Sequence, residues 1–200
     1  SDEEIYASFE KDWAEMEMTP AILRAPAGTE KRVKMVMRDS FELLCEAFRV
    51  YSMLNDMDDE DDIDEDFAAD VRCARPSWDQ SEEDAEETIS FKEFIAFCSD
   101  TGILDKKAGI SRRTLKEIFR RVNTETEAAG DGGGQFRTQG DTQLERSEFF
   151  ECLLYLAGLR FRTFPNPATQ IELLLDDLIE PALAKPDKNG KIRVQLSAPD

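Results

Sequence analysis

Two phrases of this chain share one pattern: Ile89-Ser90-Phe91-Lys92-Glu93-Phe94 and Leu144-Glu145-Arg146-Ser147-Glu148-Phe149. Each places an aliphatic residue, a glutamate four positions later, and then a phenylalanine that opens an apolar helical face. The repeat marks two equivalent helix entrances. Ser90 and Glu93 have the spacing of a capping box, in which each side chain accepts from the other's backbone amide. Glu148 has no such partner and reads as an ordinary acidic residue on a helix's first turn, favoured by the helix dipole.

Around these entrances apolar residues recur at helical spacing. Residues 3–18 read as an amphipathic helix with Ile5, Phe9, Trp13 and Met16 on one stripe, ended by Thr19-Pro20. Ala25-Pro26-Ala27-Gly28 is a linker. Val33, Met37, Phe41, Leu44, Cys45, Phe48 and Tyr51 then place one long helix over about residues 30–55. Further helices are expected over 90–100, from the N-cap Ser111 through Leu115, Ile118, Phe119 and Val122, and over 145–159. A last helix begins at Asn166-Pro167, presents Ile171, Leu174, Leu175 and Leu178, and is ended or kinked by Pro181. The run Lys191 to Leu196 has strand character. The expected class is all-α, in three parts: an N-terminal helix and linker (1–29), a core (30–160) and a C-terminal helix and tail (161–200).

Two stretches interrupt the core. Residues 56–87 hold sixteen Asp or Glu against Arg72 and Arg75, so self-repulsion opposes a packed element there. Residues 123–143 centre on Gly130-Asp131-Gly132-Gly133-Gly134, where glycine leaves backbone entropy uncompensated. Both read as insertions. The net charge of −19 disfavours nucleic acid and anionic membranes as partners, and no apolar run reaches the roughly 18 residues of a membrane span. Cys45, Cys73, Cys98 and Cys152 lack metal-like spacing and read as reduced thiols, which suits an intracellular compartment. Histidine is absent, removing the commonest general base and metal ligand. No GxSxG or phosphate loop stands in its place, so the chain reads as a non-enzyme.

Laid end to end, residues 30–160 give helix, loop, helix, connector, helix, loop, helix. Together with the two entrance phrases this resembles the EF-hand superfamily, as one pair of hands. It is most similar to the divergent pairs of protist cytoskeletal and ciliary proteins. Those share a Ser-Phe-Lys-Glu-Phe entrance (here 90–94), a Phe-Cys-x-Asp exit (97–100) and a last helix like that of residues 148–157. The resemblance implies that Ile89 and Leu144 face each other across a short β-bridge between the loops. It also implies a cytoplasmic, cytoskeletal or ciliary setting.

A calcium loop takes oxygen ligands at its first, third, fifth, seventh, ninth and twelfth positions and a glycine at its sixth. In the first loop those ligand positions fall on Glu82, Asp84, Glu86, Thr88, Ser90 and Glu93, with Glu87 in place of the glycine. In the second they fall on Arg137, Gln139, Asp141, Gln143, Glu145 and Glu148, a cation standing where the leading carboxylate belongs. The expectation is a hand pair that has lost calcium, with no cofactor. The alternative is a calcium-sensing regulatory protein working through the loop that ends at Glu93.

Lys106, Lys107, Arg112, Arg113, Lys116, Arg120 and Arg121 gather on one connector and helix, turned away from Leu115, Ile118 and Phe119. The plain reading is a solvated face. The sharper ones are a face covered by the acidic insertion, or one that docks an acidic partner such as a tubulin tail. The helix of Ile171, Leu174, Leu175 and Leu178 either packs on the outside or plugs the groove that an open hand pair offers to a helical peptide. The functional expectation is a non-catalytic protein-interaction or scaffold module whose partner is a helical peptide or a cytoskeletal element.

Overall fold

The computed structural model describes residues 2–53, 87–123 and 143–184. The acidic run 56–66, the glycine-rich centre 130–134 and the strand candidate 191–196 lie outside the described residues. Among the described residues the fold is all-α apart from one pair of two-residue strands. Helices α1 (Asp2–Glu15), α2 (Pro20–Leu23), α3 (Thr29–Asp39) and α4 (Phe41–Ser52) precede β1 (Ile89–Ser90) and α5 (Phe91–Asp100). A 3-10 turn, Lys106–Ala108, leads to α6 (Arg112–Val122), and β2 (Gln143–Leu144) leads into α7 (Arg146–Arg160). Helix α8 (Pro167–Leu174) runs through a π-helical turn, Leu175–Ile179, into α9 (Glu180–Leu183).

Helix starts are set by local chemistry. The Ser90 amide donates to Glu93 Oε2 at 2.6 Å while the Glu93 amide donates to Ser90 Oγ at 3.4 Å, so two otherwise orphaned donors of α5 are met. Ser111 accepts from the Thr114 amide at 3.3 Å to start α6. Asn166 Oδ1 accepts from the Ala168 amide at 2.9 Å to start α8, with Pro167 in the first turn, where a missing N–H costs nothing.

Several expectations change. The helix expected over residues 30–55 is two helices, broken at Ser40, which sits at φ −106° and ψ 14°. Short polar side chains compete with the helical backbone, and Asp39-Ser40 is the one place in that run where two are adjacent. Beyond the break, the Phe41 ring meets Phe9 at 5.3 Å and Phe150 at 5.9 Å, both edge-on. Pro20 does not simply end α1, because it opens α2, where it lies in the first turn. Ile5 remains 37% exposed although Phe9, Trp13 and Met16 are buried. Pro181 does not end the last helix, which continues to Leu183. It lacks an amide donor and crowds the carbonyl four residues back, and the wider π turn directly before it takes up the strain.

One core cluster draws on α1 (Phe9), α3 (Met37), α4 (Phe48), α5 (Phe97), α6 (Phe119), α7 (Phe149) and α8 (Ile171). Phe149 lies at its centre. Its ring centroid is 5.7 Å from Phe48, 6.5 Å from Phe94, 5.1 Å from Phe97 and 6.1 Å from Phe150. Helix α7 packs on α1, α4, α6 and α8, and α8 lies across both α7 and α3. The Tyr51 hydroxyl donates to Asp100 Oδ2 at 3.0 Å, tying the end of α4 to the end of α5.

Replacing Phe149 by Ala removes a fully buried ring from this centre, and urea denaturation should show a loss of about 3–5 kcal/mol. The control Met53→Ala alters a residue that is 59% exposed and should stay within about 0.5 kcal/mol of the parent.

Candidate functional site

The two helix entrances meet. Strands β1 and β2 pair antiparallel, with Ile89 opposite Leu144 and Ser90 opposite Gln143, and both aliphatic side chains are fully buried. Gln143 fastens the junction: its Oε1 accepts from the Thr88 hydroxyl, and its carbonyl accepts from Asn123 Nδ2 at 2.7 Å. On the second entrance the Glu145 amide donates to Glu148 Oε2 at 2.8 Å. Glu148 therefore has a specific capping role, which corrects its reading as an ordinary first-turn acid. The N-cap position of this helix is held by Glu145.

Glu93 is buried at this junction. Its Oε2 holds the Ser90 amide, while Oε1 is buried without a hydrogen-bond partner. Burial pushes the carboxyl above the usual range, against the hydrogen bonds from Ser90 and the charge of Lys92. The closing glutamate of a calcium loop binds through both oxygens. Here one oxygen caps a helix, and the Thr88 hydroxyl and Ser90 Oγ also have protein partners. Among the described residues no group of three His, Cys, Asp or Glu is placed to hold a metal. Glu82, Asp84 and Glu86 lie outside the described residues.

The basic residues share the outer side of α6 and the turn before it. Arg112, Arg113, Arg120 and Arg121 are exposed and Lys116 is half-buried, while Leu115, Ile118, Phe119 and Val122 point inward. Arg113 Nε lies 3.2 Å from Glu117 Oε1, and the Arg121 guanidinium sits 5.0 Å over the Tyr155 ring. Lys106 and Lys107 are exposed, and the neighbouring Asp105 is drawn aside by Arg160 Nη1 at 3.2 Å. On the C-terminal helix, Ile171, Leu174 and Leu175 are buried against the core and Leu178 is half-buried.

A third place had no counterpart in the sequence analysis. Arg146, the first residue of α7, reaches back to α1: its Nε bonds Asp12 Oδ2 at 2.6 Å, and its Nη2 bonds Asp12 Oδ1 at 3.0 Å and Ser8 Oγ at 2.8 Å. Its guanidinium also lies 5.7 Å over the Phe41 ring. Lys34 of α3 bonds Glu10 Oε2 at 2.7 Å and stands 5.7 Å over Trp13. Where the chain leaves α1, the Glu17 amide donates to Glu151 Oε2 at 3.1 Å.

Glu151 is only 7% exposed. Burial first, then the charges of Glu17 and Glu148, push its carboxyl up to about 7 against the Glu17 amide and the Arg121 charge. Burial likewise pushes the half-buried Cys45 thiol up to about 11, and the fully buried Cys98 and Cys152 well above the ordinary thiol value. Asp12 and Arg146 stand 134 residues apart, which no local pattern spans. The single clue was a cation at the start of a helix, where the dipole disfavours it. Comparison with protein-family models, curated proteins and solved structures gives no match to this chain.

The Glu151 carboxyl binds its proton more tightly folded than unfolded. Its contribution to stability is therefore complete below about 4.5 and is lost as pH rises through about 7, a change on the order of 3 kcal/mol. Urea denaturation between pH 4.5 and 8 should show that decline in the parent and a flatter profile in Glu151→Gln.

Proposed function

We propose that this chain is a non-catalytic protein-interaction module built on an EF-hand-like pair of helix–loop–helix units, serving a cytoskeletal or ciliary assembly. The observation that carries the reading is the antiparallel pairing of Ile89 with Leu144 at the entrances of α5 and α7. Each of those helices is started by a glutamate that caps the chain just after the paired residue. Helices α4 and α5 make the first hand in this reading, and α6 and α7 the second. The hands serve packing, with their aromatic faces meeting at Phe149.

The docking face is the outer side of α6. It carries Arg112, Arg113, Lys116, Arg120 and Arg121, with Glu117 as the one acidic residue of the helix, in a chain whose net charge is −19. At about 8 Å, the screening length of physiological salt confines the repulsion of distant acids, so the local cations decide what binds. An acidic protein segment such as a tubulin tail fits that chemistry. A glutamate-rich peptide with a fluorescent label should bind the parent chain with steep salt dependence. The double reversal Arg112→Glu/Lys116→Glu should weaken it at least tenfold, and unchanged binding would sink the assignment of this face.

A second reading, a calcium sensor, is favoured by the orphaned Oε1 of Glu93. Calorimetric titration separates the two. Micromolar calcium binding that disappears in Glu93→Gln would move the function to calcium sensing, whereas no heat in either chain keeps the interaction module.

A further inference from the structure

We propose that the flank of α7 bearing Arg146 and Phe150, together with Phe41 of α4, is a recognition site for an acidic amphipathic helix. In this structure the chain's own α1 fills it, and a partner helix of the same pattern takes the place of α1. The pattern can be read from α1 itself. Phe9, Trp13 and Met16 recur at spacings of four and three, so they line one buried stripe, and Asp12 stands beside it. The floor under the stripe is aromatic, because Phe41 meets Phe9 on one side and Phe150 on the other.

Charge gives the site its selectivity. Arg146 occupies the first position of α7, where the positive end of the helix dipole disfavours a cation. A carboxylate reverses that penalty. The planar guanidinium takes both oxygens of Asp12 and the Ser8 hydroxyl, the forked geometry that separates an acidic ligand from a neutral one. Lys34 adds a second cation over Glu10 and Trp13. With its acidic ligand gone, the site would hold two cations beside an exposed aromatic floor, an arrangement that only another acidic, aromatic helix satisfies.

Helix α1 has the character of a ligand. It has fourteen residues, a length at which an isolated helix is marginal, so its order depends on the site. These contacts to the body run through side chains, and residues 16–19 are the stretch that joins it to α2. Met16 and Thr19 are buried and the Glu17 amide is bonded to Glu151, so this join holds α1 close to its site and a partner in solution must compete with it. This extends the interaction-module reading without using the basic face of α6, and either can fail while the other stands.

The test uses the full chain with α1 loosened by Phe9→Ala/Asp12→Ala and a fluorescein-labelled peptide of residues 2–18, followed by anisotropy. The loosened chain should bind the peptide at least about tenfold more tightly than the parent, in which α1 competes. Adding Arg146→Glu to the loosened chain should abolish binding, and a peptide carrying Asp12→Arg should restore it. Equal binding to the parent and loosened chains, or binding indifferent to Arg146→Glu, would overturn the proposal. So would loss of the near-ultraviolet dichroism of the loosened chain, since the other helices would then depend on a seated α1 for their own packing.

Discussion

The packing of one ring, Phe149, underlies the rest of the fold. It stands on the first turn of α7 and receives Phe48 from α4 and Phe94 and Phe97 from α5. Aromatic pairs of this kind contribute about 0.5–1.5 kcal/mol each beyond the area they bury. The next residue, Phe150, turns about 100° around the same helix and faces Phe41. Two consecutive phenylalanines thus reach different partners: Phe149 meets rings of α4 and α5, and Phe150 meets Phe41, against which Phe9 of α1 packs.

Electrostatics divides along the same helix. The chain is strongly acidic, and two of the three buried carboxylates among the described residues, Asp12 and Glu151, sit where α7 meets the start of the chain. Asp12, in a side chain only 6% exposed, is paired with Arg146. Glu151 has an amide but no cation at hydrogen-bonding distance, and its carboxyl responds by holding its proton. A buried ion pair stabilises little overall but is costly to break, because the survivor is left desolvated. Arg146 and Asp12 therefore specify where α1 sits more than they hold the chain folded.

What could be read from the sequence was local in origin. The capped starts at Ser90, Ser111 and Asn166, and the inward faces of α5, α6 and α8, follow from residues within one or two turns of each other. The break at Ser40 was hidden because the apolar stripe continues in phase through Met37, Phe41 and Leu44, and periodicity cannot register a change of axis. The Glu145–Glu148 cap escaped notice because glutamate is a poor N-cap on average, and only its carboxylate geometry made it one. The meeting of α1 with Arg146 and Glu151 joins residues more than a hundred positions apart, and it depends on how α3 and α7 happen to lie. The candidate basic face was legible as composition, but the stacking of Arg121 on Tyr155 was not.

The cysteines carry a consequence of their own. A thiol reacts as the thiolate, and burial suppresses the thiolate of Cys45, Cys98 and Cys152 in the folded chain. Cys45 is half-buried within reach of the Asp12 and Arg146 charges, whereas Cys98 and Cys152 are fully buried in the core. The two fully buried sulfurs are thus clocks for the opening of the core, while the half-buried Cys45 answers to its own surroundings.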